Sequence, residues 1–244
     1  MLKVTPINHN MNIVILCGGK GERLHPITND IPKPLIKIKG KPILSYIIEH
    51  LADYNMHELI IATGYKSSEI RSYVNEYYTK SIYKIVNSGD VDIIKRIQES
   101  CKYIQKDFMV LYGDTISNIN LDNLIKYHQT HLQPVTMCVW PLRSQFGIVD
   151  VGKDGKVLGF QEKPILDKWI NIGYFYINMG FRDFVFSHNS FESFLLDATN
   201  LKSINVFRLQ WLHITVNTLS ELEEAQSNIK RVIKDKKIIF IGEA

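Results

Sequence analysis

Two periods alternate along the first half of the chain. Residues 12–17 (NIVILC) form a short apolar run closed by glycines, which predicts a buried strand. A helical pattern over 43–54 begins after Pro42, and 58–63 (ELIIAT) reads as a second strand stopped by Gly64. Helix over 67–78, strand over 83–87, helix over 93–104 and strand over 108–112 (FMVLY) continue the alternation. Strands that alternate with helices of this length imply parallel pairing through right-handed crossovers, and therefore a sheet covered on both faces.

A further helix is predicted over 120–130, because Leu121, Leu124, Ile125 and His128 follow the i, i+3, i+4, i+7 rule and Asn120 suits the cap. After it the texture changes. Segments 135–141, 147–151, 157–161 and 172–178 read as strands separated by Gly, Asp and Pro turns, a mixed extension of the sheet. The chain closes on a helix whose Leu219, Leu222, Ile229, Val232 and Ile233 share a face, with Thr218 and Glu221 spaced as a capping box.

The expected fold is α/β, a Rossmann-like three-layer sandwich on a mostly parallel mixed sheet. Residues 1–10 lack an apolar signal core and read as a short leader. Residues 11–244 read as a single domain, with 11–131 forming one half and 132–244 the other.

Composition adds little beyond a globular class: 45% hydrophobic and 22% charged residues in a 244-residue chain suffice for a sizeable core. The balance of 29 basic against 25 acidic residues is mildly cationic, without the dense Lys/Arg run of a nucleic-acid arm or a membrane-surface helix. No apolar run approaches a bilayer span. Cys17, Cys101 and Cys138 are odd in number and widely separated, so free thiols in a reducing cytoplasm are expected. His128 and His131, with no third ligand suggested, read as structural.

The chemistry starts at 16–34 (LCGGKGERLHPITNDIPKP). Gly18, Gly19 and Gly21 let successive backbone N–H groups converge on an anion. The spacing fits neither a Walker loop nor a dinucleotide fingerprint, where Leu24 stands in place of the third glycine. Arg23 brings a fork for phosphate oxygens, and Lys33, fixed between Pro32 and Pro34, brings a compact charge. Asp114 follows the strand over 108–112 directly, where a carboxylate needs a cation or donors, so a metal-ligand role is natural.

The run Gly18-Gly19-x-Gly21-x-Arg23-Leu24, followed by Pro26, Thr28 and Pro32-Lys33-Pro34, resembles the signature of the sugar-phosphate nucleotidylyltransferases. The later blocks LYGDTISNIN (111–120), FGIVDV (146–151), FQEKP (160–164) and WINIGYFYIN (169–178) resemble the same family in order, and its cytidylyltransferases most. Glu22 departs from the Thr or Ser common before the arginine, and 87–97 lacks the usual glycine pair although Lys95-Arg96-Ile97 matches.

The resemblance implies transfer of a nucleotidyl group from a nucleoside triphosphate, with CTP expected, to a sugar-1-phosphate, with Mg2+ as cofactor. It places the nucleotide on Leu16, Gly18, Gly19, Gly21, Arg23, Lys33, Gly89 and Gly113, and the sugar phosphate on Gly147, Glu162, Lys163, Asn171 and Gly173. Arg23, Lys33, Asp114 and Lys163 would carry the catalysis, and Asp114 with Asn217 would hold the metal. It also admits a homo-oligomer. The alternatives are another base (UTP, dTTP or GTP), a non-sugar phosphate acceptor, or a binding homologue without turnover.

Overall fold

The computed structural model describes residues 11–56, 58–78, 83–209 and 213–234. The expected leader over 1–10 and the residues after 234 lie outside them. In chain order the first part holds β1 (Asn12–Cys17), β2 (Lys37–Ile38), β3 (Lys41–Pro42), α1 (Ile43–Ala52), β4 (Leu59–Thr63), α2 (Ser67–Tyr77) and β5 (Tyr83–Asn87). The middle holds α3 (Ile93–Cys101), β6 (Phe108–Tyr112), β7 (Thr115–Ser117), α4 (Leu121–His128), β8 (Val135–Arg143), β9 (Ile148–Val151) and β10 (Val157–Gln161). The last part holds β11 (Ile165–Ile177), α5 (Arg182–Phe186), α6 (Phe191–Asn200), β12 (Ile204–Arg208), β13 (His213–Thr215) and α7 (Leu219–Lys234).

Seven strands form one sheet in the order β12-β8-β11-β6-β1-β4-β5. β6, β1, β4 and β5 pair in parallel, as do β12 and β8, while β11 runs antiparallel to both β6 and β8. The sheet is thus mixed and mostly parallel, as the alternating pattern predicts. β9 and β10 form a separate antiparallel hairpin.

The pleat of β1 shows why both faces are covered. Ile13, Ile15 and Cys17 enter one core with Leu44, Ile47 and Leu51 of α1, Ile70 of α2, Leu124 of α4 and Ile229 of α7. Val14 enters the opposite core with Ile94 and Ile97 of α3, Val185 of α5 and Phe194 of α6. Continuous apolar strands rather than alternating ones are the mark of a doubly covered sheet. Each fully buried isoleucine contributes about 1.5–3 kcal/mol of transfer free energy.

Helix caps match the predicted types. Asn120 accepts from the Asn123 amide, and Asp92 accepts from the Ile94 amide at the start of α3. At α7 the Glu221 carboxylate accepts from the Asn217 and Thr218 amides, at 2.6 and 3.0 Å, while the Glu221 amide donates to Thr218 Oγ1.

Two expectations are corrected, and one stretch gains elements that were not expected. β11 begins at Ile165, seven residues before the expected strand, because β8 extends to Arg143 and pairs with it there. Leu219 and Ile233 leave the buried face of α7, which is carried by Leu222, Ala225, Ile229 and Val232. The stretch after 178, for which the pattern predicts nothing, forms α5, α6 and the edge strand β12. His128 and His131 are structural: both bond Thr136 Oγ1, and His128 also bonds Asn178 and stacks on Tyr176. All three cysteines are free and buried. No helix among the described residues is long and apolar enough to cross a membrane.

Candidate active site

Parallel strands deliver their carboxyl ends to one rim, and ligands of such sheets bind there. β1 ends at Cys17 and passes into the glycine loop. That loop is held from below: Leu24 is fully buried in the core, and Thr28 Oγ1 donates to the Gly21 carbonyl at 3.0 Å. Gly18 is required by close approach, since a Cβ there would stand 1.9 Å from the Arg96 guanidinium. At Gly19 a Cβ would meet no protein atom, so the space above it is open to a ligand.

Lys33 sits in a short 3-10 turn that follows Pro32 and buries Pro34. Its ammonium bonds Asp114 Oδ2 and, at 2.7 Å, Asn217 Oδ1. Asp114 lies in the turn between β6 and β7. Asn217 arrives from 100 residues later because β13 pairs antiparallel with β7, Thr215 opposite Thr115, and the Val216 amide donates to the Asp114 carbonyl. The capping box of α7 then fixes the Asn217 backbone.

Two oxygens that converge on one cation position suit a hard divalent ion with most of its shell left to phosphate and water. No cluster of three or more His, Cys, Asp or Glu side chains able to hold a metal occurs among the described residues. What the site offers a divalent ion is one carboxylate and one amide oxygen, those of Asp114 and Asn217.

These groups line a cleft of about 710 Å³. Leu16, Gly18, Gly19, Gly21, Arg23, Lys33, Gly113, Asp114 and Asn217 of the expected site all border it. Gly89 does not; its carbonyl turns toward Arg96 instead, and its neighbours Asp90 and Val91 line the wall. Lys20 and Asp90 form an ion pair of 2.6 Å between the glycine loop and this wall, which raises the lysine pKa.

Lys20, Asp90 and Tyr112 are cleft residues that sequence reasoning does not single out, while Cys17 is read there only as a free thiol and Arg96 only as part of the matching Lys95-Arg96-Ile97. Burial pushes the Cys17 thiol well up, with Asp114 adding to it, so the sulfur is an inert apolar floor. Burial pushes the Tyr112 phenol up to about 12 and keeps it protonated. Burial also lowers the Arg96 pKa, against the fields of Asp90, Cys17 and Asp92. The signal for Arg96 was an arginine set into the apolar stripe of α3, between Ile94 and Ile97.

The residues expected to hold the sugar phosphate divide in two. Gly173 reaches the cleft through Tyr112, and Asn171 accepts from the Gly173 amide at 2.8 Å. Gly173 has φ +80, and a Cβ on it would stand 2.2 Å from the Tyr112 ring. Gly147, Glu162 and Lys163 lie outside the cleft lining. Gly147 packs on the Phe160 ring and near the Glu162 carboxylate, and Glu162 and Lys163 are exposed.

Residues 12–234 match the family model described as nucleotidyl transferase. The chain is 38% identical to the "Probable glucose-1-phosphate cytidylyltransferase" of Bacillus subtilis (strain 168), over 69% of this chain and 75% of that protein. It is 30% identical to the glucose-1-phosphate cytidylyltransferase of Salmonella typhimurium (strain LT2), over 72% and 78%. Among solved structures, a UDP-glucose pyrophosphorylase complexed with UDP-glucose superposes with a TM-score of 0.71 at 17% identity, covering 91% of this chain and 98% of that one, and so agrees in fold. With its glycine loop, paired cations and acidic turn in one cleft, the chain belongs to the nucleotidyl transferase family, among its sugar-phosphate nucleotidylyltransferases.

Proposed function

We propose that the protein joins CTP to a sugar-1-phosphate in this cleft, releasing pyrophosphate and a nucleotide sugar. The observation that carries the reading is the convergence of Lys33, Asp114 and Asn217 beside the glycine loop and Arg23. CTP is the base in this reading because the relative at 38% identity is named a cytidylyltransferase, while relatives at 30–34% include a uridylyltransferase and GlmU proteins and keep UTP as the alternative.

The reaction brings together two polyanions. A pair of like unit charges 4 Å apart repels by about 4 kcal/mol at an effective dielectric near 20, so the site must neutralise charge before the reacting atoms meet. The open N–H groups of the glycine loop and the Arg23 fork take the β- and γ-phosphates that depart as pyrophosphate. Lys33, whose ammonium bonds Asp114 and Asn217 here, would turn to the α-phosphate when those two oxygens hold the metal. Asp114 and Asn217 would hold Mg2+, which when bound supplies further positive charge to phosphate oxygens. Lys163, exposed outside the cleft lining, would receive the acceptor phosphate only on approaching the cleft with its substrate. That phosphate is already anionic near neutral pH, so positioning and electrostatic stabilisation account for the rate without a general base.

The test is pyrophosphate release measured across CTP, UTP, dTTP and GTP, each paired with a set of sugar-1-phosphates. The expected result is release that depends on Mg2+ and is fastest with CTP. Release fastest with another nucleotide would overturn the base assignment, and binding without release in every pairing would overturn the reaction.

A further inference from the structure

Arg96 takes no part in the chemistry just described. Yet it is the only lysine, arginine or carboxylate side chain among the described residues that is buried, at 4% exposure. Its guanidinium donates to the carbonyls of Thr63 at 2.6 Å, Gly89 at 3.0 Å, Val91 at 3.1 Å and Gly18 at 3.3 Å. All four acceptors belong to main chain leaving the carboxyl ends of three neighbouring strands, β1, β4 and β5.

An arginine at an apolar position of α3 is costly. Leucine would fill such a position without desolvating a charge, so the cost must be offset by something only a planar fork provides. The fork reaches four carbonyls at once, Thr63 from Nη1 and the other three sharing the two N–H groups of Nη2. Two glycines are shaped around it: a Cβ at Gly18 would lie 1.9 Å from Arg96 Nη1, and one at Gly64 would lie 2.4 Å from the same atom. On one side of the guanidinium stands the glycine loop; on the other stands the wall of Asp90, Val91 and Ile93.

We propose that Arg96 is a positioning residue for the nucleotide: by tying Gly18, Thr63, Gly89 and Val91 together it sets the spacing between the phosphate loop and the opposite wall, where the rest of the nucleoside triphosphate must fit. This rests on the reading of the cleft as a nucleotide site. Lys20 and Asp90 span the same gap, but at the exposed mouth, where an ion pair fixes little. Arg96 spans it from beneath.

The experiment compares wild type with Arg96→Lys, which keeps the charge and loses the fork, and with the harsher Arg96→Met. Nucleotide binding is titrated calorimetrically with Mg2+ and without acceptor, using whichever of CTP, UTP, dTTP and GTP wild type binds most tightly. KM is then measured separately for nucleotide and for sugar phosphate. Folding of each variant is checked by its melting temperature. Arg96→Lys should fold and weaken nucleotide binding by about tenfold or more, the worth of hydrogen bonds from a charged donor, with the sugar-phosphate KM unchanged.

A general structural role would move both KM values together, and that result, or an unchanged nucleotide Kd, would overturn the proposal. Should Arg96→Met fail to fold, Arg96→Lys alone decides. Because the titration needs no turnover, a wild type that binds nucleotide without releasing pyrophosphate counts against the transferase reading and not against Arg96.

Discussion

The cleft and the excursion between β8 and the inner half of β11 handle charge in opposite ways. In the cleft, Lys33 is bonded to Asp114 and Asn217, Arg96 to four carbonyls and Lys20 to Asp90. In the excursion, Glu162 and Lys163 are exposed, and Val151, Val157, Leu158 and Phe160 open to solvent on the β9–β10 hairpin. A site whose dipoles and cations are already fixed does not reorganise as charge develops, which is the main source of electrostatic catalysis. Under the proposed function, catalytic power resides in the cleft and acceptor choice in the excursion, and the two should fail differently when altered.

The largest expected effect tests the cleft. Asp114→Ala should reduce pyrophosphate release by about 10³-fold or more, since it removes the charged metal ligand and leaves Lys33 without its carboxylate. Wild type stripped with EDTA should fall equally in the same assay. Next, Lys33→Met should lower kcat by about 10²–10³-fold with a much smaller change in the sugar-phosphate KM. A variant that altered only that KM would break the comparison.

The third prediction concerns β13, which carries Asn217 to the cleft. Burial lowers the His213 pKa to about 4, so the folded protein keeps the ring neutral while the unfolded chain protonates it near 6.5. Stability present above pH 6.5 should then be lost as pH falls toward 4, by on the order of 2 kcal/mol. Chemical denaturation at several pH values should show this slope, and His213→Gln should flatten it.

Lys163→Ala sharpens the contrast from the other side. It should raise the sugar-phosphate KM by about tenfold while nucleotide binding measured alone stays at the wild-type value. A loss of nucleotide affinity would join the two regions that the comparison separates. The smallest effect belongs to Glu221→Ala, which removes the acceptor for the Asn217 and Thr218 amides. It should cost about 1 kcal/mol in thermal or denaturant unfolding.

The parallel core was legible because β1, β4 and β6 are apolar runs each followed directly by a glycine, and β1, β5 and β6 have the predicted bounds. The glycine loop, Lys33 and Asp114 were legible for a related reason: strand ends and glycines can be located in sequence, and the cleft forms where they meet. Asn217 was reached through resemblance, since only the β7–β13 pairing brings it across 100 residues. Tyr112 and Arg96 carried weaker signals. A tyrosine closing a strand and an arginine on a helix are ordinary until tertiary packing turns one against Gly173 and surrounds the other with carbonyls. α6 was legible but not read: Phe191, Phe194, Leu195 and Ala198 follow the i, i+3, i+4, i+7 rule behind the Ser190 cap, whereas the half-exposed edge strand β12 alternates too weakly to stand out.

The excursion has one more property. It leaves β8 at Arg143 and returns at Ile165, and these two residues are register partners, with the Ser144 amide donating to the Pro164 carbonyl at 2.9 Å. Its entrance and exit are one place, so the cost of closing it is set by a junction that the sheet already holds together. Such a segment can be swapped, lengthened or trimmed without rethreading any strand, so residues 144–164 form an exchangeable unit whose transplantation would separate the part that Glu162 and Lys163 play in the proposed function from that of Asn171 and Gly173.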